Sequence, residues 1–167
     1  MTSILKVSEI QDPTNSNTAL TIDASGNVNI PGHVMQVVQG EYSTVVTTSS
    51  NSFIATGLTA SITPTSTSSK ILVLVSHPSI DKRTNDTYLG LRLNRDGSLI
   101  KEITRQDMFN AQTNTTTSNI SYTYLDSPSS ASALTYSTVF NSGAGNAQVS
   151  INWNYGASTL TLMEIAQ

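Results

Sequence analysis

Short stretches in which apolar and polar residues alternate run along most of the chain. Near the N-terminus, Leu20 and Ile22 alternate with polar neighbours, and Val28 and Ile30 continue the pattern after a Ser-Gly-Asn turn. Alternation with a period of two places the apolar side chains on one face of a β-strand. The pattern therefore predicts a hairpin, which stops at a Pro-Gly pair where a second region of the chain begins.

The segment 1–32 has too few apolar side chains to fold alone. Burial of about eight aliphatic side chains does not offset the backbone entropy lost when some 30 residues become ordered. We therefore expect an arm that cannot fold by itself, whose apolar positions pair with neighbouring chains or with another protein. These positions are Leu5, Val7, Ile10, Leu20, Ile22, Val28 and Ile30.

The region 33–167 resembles a row of about eight short strands. The run Lys70–His77 is its only continuous apolar strand and is predicted to lie at the centre of the core. Asp96-Gly97 predicts a tight hairpin turn, and Val149, Ile151 and Trp153 predict a late strand. A helix over 101–111 is the one alternative left open. The predicted fold is all-β, an antiparallel β-sandwich of jelly-roll type after a short N-terminal β arm.

Composition supports strands and turns over helices. The chain has 24 Thr and 25 Ser among 167 residues, and only 11% of its residues are charged. Thr is typical of strands, whereas Ser favours turns. The net charge is −3, and the six basic residues within 82–105 are interleaved with acidic ones. We therefore expect no nucleic-acid partner and no membrane insertion.

The sequence contains neither of the features typical of secreted proteins, disulfide-forming cysteines and a signal peptide. There is no cysteine and hence no disulfide framework, and the N-terminus lacks the basic start and apolar run of a signal peptide. The longest apolar run, 71–75, is too short to span a bilayer. We expect a soluble protein made in a cytoplasm.

The titratable residues predict no catalysis. His33 follows the Pro-Gly joint and His77 is expected in a loop, with no spacing that suits zinc. No Gly-x-Ser-x-Gly elbow is present. Several acidic residues occupy predicted turns, namely Asp12, Asp23, Asp96 and Asp126. We expect no catalytic residues, no metal, no cofactor and no enzymatic activity.

Contact surfaces are expected in the long polar segments 81–86 and 106–119, because loops commonly carry binding residues. The candidate receptor-facing residues are Asp81, Arg83, Asp86, Asn110 and Asn114. Two aromatic pairs could stack on sugar rings, although core packing is the commoner use of such side chains. These pairs are Tyr122 with Tyr124, and Trp153 with Tyr155.

Several stretches resemble virion proteins of tailed bacteriophages, especially marine and cyanobacterial ones. "LKVSEIQDP" followed by "LTIDASGNVNIPG" is similar to an N-terminal segment of tail-fibre proteins. The rest of the chain resembles a domain that is common in those proteins. The stretches that carry this resemblance are "ASITPTSTSSKILVLVS", "YLDSP" and "STLTLMEIA". Unlike a typical fibre, this chain has no long shaft between the two parts.

The resemblance implies a homotrimer on the virion surface, docked to other virion proteins through the N-terminal arm. One hypothesis is a short tail fibre whose head contacts host-surface polysaccharide. The other is a capsid decoration or cement protein that stabilises the head shell. A glycan-degrading enzyme is the least favoured hypothesis, because the chain has only eleven acidic residues and several of them occupy predicted turns.

Overall fold

The structure is a computed structural model of the chain. It describes residues 7–11, 18–22, 24, 26, 28–83, 86–110, 115–143 and 147–167. Leu5, Asp12, Asp23 and Asn114 lie outside the described residues. Within the described part of the chain, no helix is long and apolar enough to cross a membrane.

Thirteen strands and one short 3-10 turn make up the described chain. The first three strands form a sheet of their own: β1 Glu9–Gln11, β2 Thr18–Ile22 and β3 Val28–Asn29. The remaining strands are β4 Val34–Tyr42, β5 Val46–Thr48, β6 Ile54–Ile62, β7 Lys70–Lys82, β8 Thr87–Arg95, β9 Ser98–Asn110, β10 Thr116–Asp126, β11 Leu134–Ser142, β12 Val149–Ile151 and β13 Ser158–Ile165. The 3-10 turn, Trp153–Tyr155, lies between β12 and β13.

Eight of these strands form an antiparallel sandwich with jelly-roll strand order. The first sheet runs β4-β13-β7-β10, and the second runs β6-β11-β8-β9. The short strands β12 and β5 extend the first sheet beyond the end of β13. Both sheets supply inward side chains to a common core, so the all-β, jelly-roll prediction is confirmed.

The core lies between the inner faces of the two sheets, and β7 is its central strand. Ile71, Val73 and Val75 of β7 are buried, as the continuous apolar run predicted. They pack with residues of the second sheet such as Leu58 and Tyr136. Strand β10 pairs with β7 along the other edge, which places Tyr122 and Tyr124 against the same cluster. The core reading of those two tyrosines is therefore confirmed.

The hairpin predicted at Asp96-Gly97 is present, and it determines that the next segment is a strand. Both residues have positive φ, 50° and 78°, and Arg95 pairs directly with Ser98. Such a two-residue turn sends the chain back antiparallel to the strand before it. The segment 101–111, left open as a helix, therefore continues as β9 to Asn110. The helix alternative is wrong.

The small N-terminal sheet has one apolar face. Ile10 pairs with Leu20, and Ile22 pairs with Val28, so these four side chains share that face. Ile10 is 46% exposed and Val28 is 43% exposed. The sequence predicted this shared face, and the single chain leaves it largely uncovered.

A buried carboxylate joins two of the stretches that carry the bacteriophage resemblance. Glu164 of β13 is fully buried, and its Oε1 accepts hydrogen bonds of 2.7 Å from the backbone N–H and hydroxyl of Thr65 and from the hydroxyl of Ser69. Its Oε2 accepts a 2.7 Å bond from Gln36. Burial acts to raise the pKa of Glu164, but these donors together bring it below its usual value.

The acidic side chain of "YLDSP" has a similar structural role. Asp126, expected in a turn, instead ends β10 as a buried residue. Its Oδ2 accepts hydrogen bonds from the Tyr136 hydroxyl at 2.7 Å and from Arg95 at 2.5 Å. Burial beside this carboxylate raises the pKa of Tyr136. The turn prediction for Asp126 is wrong, because a long-range ion pair rather than local chain reversal determines its place.

The bonds to Glu164 predict a large effect of one isosteric change. Glu164→Gln replaces one acceptor oxygen with a donor amide, which leaves a buried donor facing Gln36 or Thr65. We expect a loss of about 2 kcal/mol in the free energy of unfolding, measured by urea denaturation. Glu41→Gln is the matched control, since Glu41 is exposed on β4, and should change stability by less than about 0.5 kcal/mol. Equal stability of the two variants would contradict the assignment.

Candidate ligand-binding platform

An aromatic turn projects from the sandwich between β12 and β13. The residues Asn152, Asn154 and Tyr155 all have positive φ, at 59°, 52° and 67°. This left-handed backbone conformation is unfavourable for residues other than glycine. Asparagine tolerates it better than an aromatic residue does. The strand predicted to continue through Trp153 therefore ends at Ile151, and Tyr155 is 98% exposed.

Two residues at the ends of the turn hold it in this shape. Asn152 is buried, and its amide nitrogen donates to the carbonyl oxygens of Tyr42 at 2.8 Å and Thr44 at 3.1 Å. At the other end, Gly156 packs against β7, where a Cβ atom would lie 2.8 Å from the carbonyl oxygen of Pro78. A larger residue at Gly156 would push the turn away from the sheet.

The anchor continues into the core as a chain of buried hydrogen bonds. The Ser158 hydroxyl donates to Asn152 Oδ1 at 2.5 Å, and His77 Nδ1 lies 2.6 Å from the Ser158 oxygen. Since the Ser158 proton is used on Asn152, His77 Nδ1 must carry the proton that joins it to Ser158. The bonds of Asn152 thereby determine the tautomer of a histidine in the core.

The chain of bonds then crosses to the second sheet. With its proton on Nδ1, His77 accepts at Nε2 from the Thr138 hydroxyl, 3.1 Å away. The hydroxyl of Thr56 lies 2.6 Å from that of Thr138 and also 3.1 Å from the Thr138 carbonyl oxygen. Both ring nitrogens of His77 are thus used inside the protein, and neither is open to a substrate.

Burial also keeps His77 neutral. The desolvation of the ring lowers the pKa of His77 from its usual value near 6.5 to about 4. The expectation that His77 lies in a loop is wrong, because the residue faces inward from β7 between Val75 and Ile80. It supports the fold and the turn, in agreement with the interpretation that it is a satisfied structural histidine.

A shallow depression of about 290 Å³ lies beside the turn. Its lining comprises Ser43, Val45, Trp153, Asn154 and Tyr155. Two aromatic rings and one aliphatic side chain offer apolar contact, while a hydroxyl and an amide offer hydrogen bonds. We call this surface the Trp153 platform.

Arg83 supports the platform from outside that lining. Its guanidinium carbon lies 3.9 Å from the centre of the Trp153 ring, within the range of a cation–π contact. Its Nε donates to Asp81 Oδ2 at 3.0 Å. The ion pair with a buried carboxylate fixes the guanidinium, which in turn restricts the Trp153 ring.

The other predicted receptor-facing residues meet mixed outcomes. Asp81 is fully buried in β7, so its predicted place in an exposed loop is wrong; the strand continues past it to pair with β10 and β12. Asp86 lies exposed in the turn before β8, and Asn110 ends β9 opposite Thr87. Strand pairing brings Arg83, Asp86 and Asn110 to one end of the sandwich. Contact of these residues with a receptor stays a prediction.

The sequence named Trp153 and Tyr155 but assigned them to a strand face. The chain signal for the turn is weak: two asparagines and a glycine around the pair, residues that tolerate left-handed backbone or close approach. Among the described residues, no three His, Asp or Glu side chains are grouped as a metal site would require.

Comparison with known proteins gives a distant likeness only. No family model matches the chain, and no curated protein matches it significantly. Two structures of infectious bursal disease virus, strains Gx and Gt, align over 98% of this chain with TM-scores of 0.40 and 0.38 and identities of 14% and 12%. The VP2 subviral particle of that virus aligns with a TM-score of 0.32 at 11% identity. The chain spans 36–43% of the length of those chains, and a likeness this weak assigns no function.

The lowered pKa of His77 predicts acid sensitivity. The unfolded chain takes up a proton at this histidine near pH 6.5, whereas the folded chain resists it until about pH 4. Above pH 6.5 the ring is neutral in both states and does not reduce the free energy of unfolding. As the pH falls from 6.5 to 4, the free energy of unfolding decreases by up to about 3 kcal/mol. Urea unfolding at several pH values should show this loss in the wild type.

His77→Gln removes the titrating group and is the control. Its stability should fall less steeply over the same pH interval, because the histidine that the fold keeps neutral is no longer present. If the variant does not fold, the imidazole resonances of the wild type give the same answer by NMR. A His77 resonance that titrates near pH 6.5 would contradict a buried neutral ring.

Proposed function

We propose that the chain is a virion surface protein of a tailed bacteriophage that acts as a short, trimeric tail fibre. The N-terminal sheet attaches the protein to other virion proteins, and the jelly-roll head faces outward to meet host-surface glycans. The observation that carries the proposal is the division of the chain into a small sheet with an exposed apolar face and a complete sandwich. A surface of this kind on a short segment is typical of an interaction site.

The resemblance stretches support this proposal because the fold gives them a shared structural role. Glu164, from "STLTLMEIA", binds Thr65 and Ser69 of "ASITPTSTSSKILVLVS". Asp126, from "YLDSP", pairs with Ile71 of that same stretch in the first sheet. The three stretches therefore contact one another in the sandwich. Jelly rolls also occur among viral capsid and lectin domains, which is an analogy at the level of fold.

A second uncovered apolar surface is consistent with self-association. The outer face of the first sheet carries an apolar row that crosses four adjacent strands in register. Its members are Val37 of β4, Met163 of β13, Leu72 of β7 and Leu125 of β10. Val37 is 56% exposed and Leu125 is 48% exposed. In a trimer this row and the N-terminal sheet are two candidate surfaces for contact between copies.

Immunogold labelling of intact particles tests the location. Antibodies against the head should label the tail region of the virion, since a fibre projects from the tail. Labelling distributed over the head shell would contradict the tail-fibre hypothesis and support a capsid decoration protein. Particles that bind no antibody would contradict both virion roles.

Charge placed on the arm should disrupt assembly. Ile22→Asp puts a carboxylate on the apolar face of the N-terminal sheet, and burying it between copies would be strongly unfavourable. Native mass spectrometry should show three chains for the wild type and smaller species for this variant. Thr21→Asp, on the opposite face of the same strand, is the matched control and should remain trimeric.

Two results would count against the arm as the trimer contact. One is a wild-type chain that is monomeric at micromolar concentration. The other is an Ile22→Asp variant as trimeric as Thr21→Asp, which would move the contact to another surface such as the row around Leu72.

A further inference from the structure

The Trp153 platform exposes an aromatic ring that the fold does not need. Tyr155 is 98% exposed, so its ring contributes almost nothing to the packing of this chain. Its backbone is held at φ 67°, a conformation that is unfavourable for an aromatic residue. A strained backbone that presents a fully exposed ring points to a contact made outside the chain.

The turn is also fixed in advance of any contact. Asn152 holds its start through two backbone carbonyls, and the close approach of Gly156 to Pro78 holds its end. Arg83 restricts the Trp153 ring. A ligand therefore meets a surface that is already ordered, which lowers the entropy lost on binding.

The shape and lining of the depression indicate the ligand. At about 290 Å³ it is at the small end of ligand sites and suits one or two sugar rings. A pyranose has an apolar C–H face, which the rings of Tyr155 and Trp153 can cover. Its hydroxyl groups can bond to Ser43 and to the Asn154 amide at the edge.

The charges around the platform favour an uncharged sugar. The lining contains no Asp, Glu, Lys or Arg. The nearest cation described there, Arg83, is paired with the buried carboxylate of Asp81 and stacks on Trp153. A carboxylate-bearing or sulfated sugar would lose hydration in the depression without gaining a facing charge.

We propose that the Trp153 platform binds an uncharged pyranose ring of a polysaccharide, with Tyr155 stacked on its C–H face. This inference rests on the proposed function, because it names the glycan class that the head would contact and the site that would contact it. Trp153 is the only tryptophan of the chain, so its fluorescence reports on this site alone.

Titration of the full chain with oligosaccharides tests the inference. Neutral oligomers of glucose, mannose, galactose and N-acetylglucosamine are compared with uronic-acid oligomers, up to millimolar concentration. At least one neutral oligomer should change Trp153 emission in a saturable manner. Its affinity should be the same at about 50 mM and about 500 mM NaCl, because no charge pair contributes.

Variants locate the binding at the platform. Tyr155→Ala should weaken the affinity about ten-fold or more, whereas Tyr155→Phe, which keeps the ring, should weaken it by clearly less. Phe109→Ala is the matched control: this aromatic residue is 57% exposed on β9, contacts Tyr88 and is not part of the lining of the platform. It should leave the affinity unchanged.

Three outcomes would overturn the inference: no response to any neutral oligomer, equal affinity of Tyr155→Ala and wild type, or binding of acidic oligomers alone with strong salt dependence. Each differs from failure of the proposed function, which the particle labelling decides. Labelling of the tail together with no response of Trp153 emission to any sugar would contradict the proposed sugar site but not the proposed virion role. Sugar binding by a chain absent from particles would keep the site and remove the virion role.

Discussion

The hydrogen bond between His77 and Thr138 joins the two sheets at the middle of the sandwich, and the rest of the structure is arranged around it. His77 faces inward from β7, and Thr138 faces it from β11. Such a bond is worth little unless every polar atom near it is satisfied, because a buried unpaired donor or acceptor is costly. Ser158 and Thr56 complete the set, so the register of four strands is constrained at one level.

This polar layer divides the core into two apolar clusters. Val75 and Tyr136 pack in the cluster on one side of it, whereas Ile80 and Phe140 pack in the cluster on the other. An apolar core alone permits neighbouring registers with similar burial. A histidine that must donate to one hydroxyl and accept from another restricts the alternatives to one, since a shifted strand would leave its ring nitrogens unsatisfied.

Alternation along the chain was sufficient to predict strands, the sandwich and the hairpin at Asp96-Gly97, because burial on one face of a sheet leaves a period of two. The same pattern could not show that Thr56 and Thr138 face inward, as a threonine suits either face. Nor could it place Asp81 or Asp126. Both acidic residues look like loop residues locally: Asp81 is buried beside Arg83, two residues along the chain, whereas Asp126 is bound by the distant Arg95 and Tyr136.

The aromatic turn was missed for a different reason: its shape is imposed from outside its own sequence. Asn152 suits a left-handed backbone, and its amide also supplies the two bonds to β4 and the segment after it, so both its conformation and its burial are accounted for. Tyr155 has neither advantage. Its side chain packs on nothing, yet the anchors at Asn152 and Gly156 hold it in an unfavourable conformation. Within the described structure, only the position of the exposed ring beside Trp153 gives that arrangement a physical purpose.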